Sequence, residues 1–445
     1  MRDSSFRART HSNVWLALTF VGALGAGYAG CSFESPVAQS CLGKSDQDFI
    51  TCALGMAPVV QPASQTRETV YEAPGRIRVL HGSACVDAAH AANSREFGFR
   101  IQQSELLPKA YADSATVFMN GWNLRYANGD HHVQGFGSAI VNISESRQAD
   151  GLLLQWEAGG VLADQNGDDP YQWCYTYTIV GWMRASTGFD AVVGDRGLSF
   201  VRRADPGNST SLHTIDGAAR NIYGPGVVLP QGFAMMWDDR GDRHLLQAGF
   251  DLGKLYASGS GQMAWTTRTL LKDNAPSNDY YAAELVSTLT YNGPQWYHPA
   301  EVSLQTDAGA YEPRRNAVDL TPFAGDTSCT AVGYSTPRVQ NYRVDVPYAY
   351  AVPVLSGWEL GYVCTDHHVR EIGASITDWR FERRPDGTSG TLYYTVELPL
   401  NDDSDNVSYN RVAIDVLGMK PMQAGPYPLF GSGDAPQLEA ESVVE

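Results

Sequence analysis

An all-β fold is predicted: three tandem, diverged β-sandwich-like repeat units behind an N-terminal export signal and tether. Three observations carry the prediction. Gly (44) and Tyr (23) are plentiful in the 445-residue chain and charged residues make up only 18%, a balance that favours strands and turns over solvated helices. One spaced set of residues recurs three times. Within each copy, apolar residues alternate at period two, as they do on a strand with one buried face.

The recurrence is clearest between Gly121-Trp122-Asn123-Leu124-Arg125-Tyr126, followed by Asp130-His131-His132-Val133 and Gly137, and Gly357-Trp358-Glu359-Leu360-Gly361-Tyr362, followed by Asp366-His367-His368-Val369 and Gly373. A weaker copy lies between them. It runs from Gly232-Phe233 to Trp237 and, after one inserted residue, to Asp242-Arg243-His244-Leu245 and Gly249. Each copy then places an aromatic (Trp156, Trp265, Tyr394) six residues before a Leu (Leu162, Leu271, Leu400). An Asp (Asp164, Asp273, Asp402) follows two residues later, and a Tyr (Tyr171, Tyr280, Tyr409) seven beyond that.

Each part of the copy has a local reading. Trp122, Leu124 and Tyr126 fall at i, i+2 and i+4 on one face of a strand, as do Trp358, Leu360 and Tyr362. The segments after Asp164, Asp273 and Asp402 are dense in Asp, Asn, Ser, Gly and Pro, the chemistry of a strand-to-strand connection. Further strands are expected over Tyr171–Val180, Tyr280–Tyr291 and Tyr409–Leu417. Copies of this length exceed a solenoid turn and suit small sandwiches.

The N-terminus reads as an export signal, with Arg2, Arg7 and Arg9 ahead of an apolar stretch from Val14 to Ala29. It ends Tyr28-Ala29-Gly30-Cys31, which resembles the lipobox of bacterial lipoproteins, although Tyr28 stands where that pattern prefers an aliphatic residue. The resemblance implies lipidation of Cys31 and a lipid anchor in a membrane. Six cysteines then remain for disulfides: Cys41 and Cys52 in the leader, Cys85 and Cys174 in the first unit, Cys329 and Cys364 in the third. The expected organisation is a signal peptide over 1–30, a tether over 31–75, β units over 76–188, 189–296 and 297–422, and a flexible tail over 423–445. Ser32 after Cys31 favours the outer membrane or cell surface over inner-membrane retention; a periplasmic or secreted form is the alternative.

Two sets of residues could carry chemistry. Asp164, Asn166 and Asp168 offer hard oxygen donors at alternating positions, and Asp402, Ser404 and Asn406 do so in the third copy; calcium is the candidate cofactor. The second His of the motif recurs in every copy as His132, His244 and His368, and with Tyr171, Tyr280 and Tyr409 it is expected to be structural. Neighbours on a strand face opposite ways, so His131 and His132 should not share one ion.

A net charge of −17 repels phosphate backbones, so nucleic acid is not an expected partner. The chain has no Gly-x-Ser-x-Gly and no His-Glu-x-x-His to support a nucleophilic or zinc-peptidase reading. The expected function is therefore a non-enzymatic surface or envelope lipoprotein whose β units bind a glycan or protein partner, or join into a pseudo-threefold body. The alternative is an extracellular hydrolase acting on polysaccharide, with one catalytic unit.

Overall fold

The computed structural model describes residues 59–73, 77–86, 98–164, 169–183, 189–192, 199–202, 213–219, 226–237, 243–258, 262–273, 280–291, 302–306, 339–362, 366–403 and 408–419. Every regular element among them is a β-strand. The first stretch holds β1 (Ser64–Ala73), β2 (Ile77–Val86), β3 (Phe99–Pro108), β4 (Ser114–Tyr126), β5 (Gly135–Arg147), β6 (Gly151–Ala163) and β7 (Tyr171–Trp182). The second holds β8 (Phe189–Val192), β9 (Ser199–Arg202), β10 (His213–Ala219), β11 (Gly226–Trp237), β12 (Gln247–Ser258), β13 (Gln262–Lys272) and β14 (Tyr280–Tyr291). The last holds β15 (Val302–Thr306), β16 (Val339–Val346), β17 (Tyr350–Tyr362), β18 (Glu371–Arg383), β19 (Gly390–Glu397), β20 (Leu400–Asn401) and β21 (Ser408–Met419).

These strands form three antiparallel sheets that run across the unit boundaries expected from the sequence. One has the order β3-β6-β5-β11-β14-β8, with β9 also on β14. Another runs β10-β13-β12-β17-β21-β15, and the third β1-β2-β7-β4-β18-β19-β16, with β20 on β18. The hairpin β5-β6 therefore joins β11 and β14, β12-β13 joins β17 and β21, and β18-β19 joins β4 and β7. The residues near 188 and 296 lie outside the described residues, and one apolar core cluster takes in residues from all three expected units. A hairpin with one apolar face is not stable alone, and pairing it with the next unit extends its sheet and covers its edge.

The three seams have matching registers. Ala139 lies opposite Gly232, Asp251 opposite Gly357 and Ser375 opposite Gly121. Glycine recurs here because the backbones are close: a Cβ on Gly121 would lie 2.3 Å from the Ser375 Cα, and one on Gly232 2.5 Å from the Ala139 Cα. Just before each seam glycine, β4, β11 and β17 carry a bulge against β7, β14 and β21, with Asn120, Gln231 and Ser356 as the extra residues. Their polar side chains are buried and bonded: Asn120 donates to the Thr178 hydroxyl (2.7 Å) and the Pro353 carbonyl (3.0 Å), and Gln231 to the Val117 carbonyl (2.7 Å).

Between the sheets lies an apolar core. Every residue of β17 is buried, and only Asn123 and Arg125 escape burial on β4, so these strands are covered on both faces. The edge strand β16 instead alternates between exposed and partly covered residues. At the centre the rings of Trp122, Phe233 and Trp358 form a near-equilateral triangle with centroid separations of 4.9, 5.0 and 5.1 Å.

Cys85 and Cys174 form a disulfide between directly opposed residues of β2 and β7. Cys31, Cys41, Cys52, Cys329 and Cys364 lie outside the described residues, as do the signal, most of the tether and the tail. Among the described residues no helix is long and apolar enough to cross a membrane.

One carboxyl makes a pH prediction. Desolvation pushes Asp415 up to about 7, with neighbouring Asp251 adding to the rise and a hydrogen bond from Ser356 opposing it. Because this pKa is raised in the folded chain, the folded state holds a proton that the unfolded state has released. Stability should therefore fall as pH rises from about 4 to about 7. Denaturant unfolding at pH 5 and pH 8 should show Asp415→Asn gaining on the wild type at the higher pH, by a few kcal/mol at most.

Candidate metal centre

The loops after β4, β11 and β17 carry the Asp-His-His motif and its variant, and they meet at one end of the core. His131 and Val369 exchange backbone hydrogen bonds of 3.0 and 2.9 Å, and His367 and Leu245 do the same at 3.0 and 2.9 Å. These bridges fix alternation in the loops. Val133, Leu245 and Val369 turn into the core, where all three are buried. The first residue of each motif pair faces the Asp loop of its own copy, and the second faces its counterparts from the other copies.

His132, His244 and His368 thereby come together. The His132 and His244 Nε2 atoms are 2.9 Å apart, and the three ring centroids lie 4.2, 4.6 and 4.7 Å from one another. One ring nitrogen from each falls within 4.8 Å of the other two. Behind the rings stand aspartates of the same motif taken from neighbouring copies. Asp130 Oδ1 is 3.5 Å from His368 Nδ1, and Asp366 Oδ1 is 3.8 Å from His244 Nδ1. Asp242, the matching residue of the middle copy, lies outside the described residues.

The first positions of the pairs form a separate layer. His131 Nδ1 is 2.6 Å from Asp169 Oδ2, with Asp164 beside the pair, and its Nε2 bonds the Asn128 carbonyl. His367 Nδ1 is 3.4 Å from Asp402 Oδ2. In the middle copy a fixed cation takes this place: Arg243 Nη1 is 2.8 Å from Asp273 Oδ2, and both residues are buried. His131 and His132 thus belong to different clusters, as do His367 and His368. Burial lifts the Tyr362 hydroxyl well above its ordinary range, and the charges of Asp402 and Asp130 add to the rise.

Of the calcium-loop residues, Asp164 and Asp402 are buried against His131 and His367, while Asn166, Asp168, Ser404 and Asn406 lie outside the described residues. Tyr171 and Tyr280 are buried, and their hydroxyls donate to the Gly160 and Thr269 carbonyls at 3.4 and 2.8 Å. Tyr409 departs from this phase. Tyr171 pairs with Tyr126 and Tyr280 with Trp237, but Ser408 is the residue opposite Tyr362, so Tyr409 stands one step along, opposite Gly361.

What three converging imidazoles can do is bind a borderline divalent ion. Imidazole suits zinc, copper, iron and nickel, and a ligating His usually turns its other nitrogen toward a carboxylate, as His244 and His368 do here. A ligand set spread over more than two hundred residues of chain is not visible in linear spacing. The signal available was the one position where all three copies keep a histidine.

Comparison with protein families, with characterised proteins and with solved structures finds no match for the chain.

Proposed function

We propose that this is an exported, lipid-anchored envelope protein whose three diverged repeat units close into one pseudo-threefold β body, and that the body binds a divalent transition-metal ion on its axis. The convergence of His132, His244 and His368 within 4.8 Å carries the reading. The matched seam registers and the Trp122–Phe233–Trp358 triangle support the threefold closure. The apolar N-terminal stretch ending at Cys31 supports export and anchoring at the outer membrane, where a glycan or another envelope protein would be the partner of the acidic body. With each ligand supplied by a different repeat, the ion ties the units together at the end of the core. That arrangement makes metal binding part of the folding free energy.

Calorimetric titration of the metal-stripped mature protein with Zn2+, Co2+, Ni2+ and Ca2+ tests the reading. One transition-metal ion per chain is expected, with no calcium uptake at the histidines. At a hundred times its dissociation constant the ion should stabilise the fold by about 2.7 kcal/mol, which a thermal melt resolves. Melts that overlay with and without all three transition metals would sink the proposal.

A further inference from the structure

The histidine cluster supplies three ligands, and its surroundings decide what occupies the remaining position. Among the described residues no other His, Cys, Asp or Glu joins His132, His244 and His368 in the group. Asp366 faces the Nδ1 of His244, away from the Nε2 that meets His132, and Asp130 lies 3.5 Å from the Nδ1 of His368; neither belongs to the group. The cluster also reaches the surface: the side chains of His244 and His368 are 35% and 38% exposed, whereas the motif's next residues, Leu245 and Val369, are sealed in the core. Structural zinc sites close with four protein ligands. Sites with three protein ligands keep a water or an exchangeable ligand in the fourth position.

Building on the metal reading above, we propose that the bound ion presents one exchangeable coordination position to solvent and takes a small anionic ligand there, such as a carboxylate or an oxyanion. Three neutral imidazoles leave the ion's full double positive charge at the site, so an anion is electrostatically preferred over a neutral ligand in that position. The Asp residues behind the rings hold and orient the imidazoles without blocking the front. The site is thus an anion receptor inside an otherwise acidic protein, and its selectivity comes from the ion rather than from the surface charge.

Cobalt reports both parts of the proposal. The mature protein, stripped and refilled with one equivalent of Co2+, is titrated with azide and separately with acetate while its visible absorption is followed. A saturable change in the cobalt bands with either anion, reversed by dialysis, is expected. Cobalt held at one equivalent with bands that stay unchanged up to the highest azide and acetate concentrations would overturn the open position alone and show a closed, structural site. Failure of the protein to retain cobalt would overturn the metal reading together with this one.

Discussion

Trp358→Ala should destabilise the protein by about 3–5 kcal/mol, the range for emptying a buried large aromatic. Trp358 is 2% exposed and lies 5.0 Å from Trp122 and 5.1 Å from Phe233, centroid to centroid, with Phe136 at 6.3 Å. Its removal takes one corner from the triangle where β4, β11 and β17 meet. Those strands belong to three different sheets, so collapse of the cavity would require the sheets to shift together. The registered seams oppose such a shift, since at Gly121 the backbone of β18 already sits within 2.3 Å of where a Cβ would be. Urea unfolding measures the loss. The cycle with Trp122→Ala should be non-additive, because the two rings touch and share the cavity. An additive cycle, or a loss under about 1 kcal/mol, would mean that the triangle is not a packed unit.

The same triangle shows what the sequence could and could not disclose. Period-two alternation placed Trp122, Leu124 and Tyr126 on one strand face, and all three are buried. Strand, turn and hairpin were legible because each rests on neighbours in the chain. Partner choice was not. The pattern of β5-β6 reads the same whether that hairpin folds back on its own unit or adds to β11, and the choice rests on bulges and close backbone approaches that appear only in three dimensions. For that reason Gly121 and Gly232 stood in the sequence only as recurring motif positions, when they are where the backbones of β18 and β5 come close. The histidines were read as scaffold, and nothing in their linear spacing disclosed that they converge. Retention at one position across three copies fits a structural role if the copies are separate and a shared site if they converge, and linear sequence does not distinguish the two. Arg243 was a usable clue: a fixed cation replacing the first His of the pair, while the second His is kept, separates the two positions into different tasks.

That separation sets the second large effect. His244→Ala should weaken transition-metal binding by at least about a hundredfold, beyond the 10–100-fold that loss of an outer-shell partner costs. It removes one of three protein ligands and leaves two imidazoles with no third to close the set. Asp366→Asn keeps all three ligands but deprives His244 Nδ1 of its carboxylate, and belongs in the 10–100-fold range. Arg243→Ala is the informative contrast. It removes the cation 2.8 Å from buried Asp273, so it should cost stability through the lost ion pair while the protein that remains folded binds metal at nearly the wild-type affinity. Calorimetric titration and denaturant melts on the three variants read affinity and stability separately. If His244→Ala loses stability without losing metal affinity, then the three histidines are scaffold and the ion belongs at the other such group, His131 with Asp164 and Asp169.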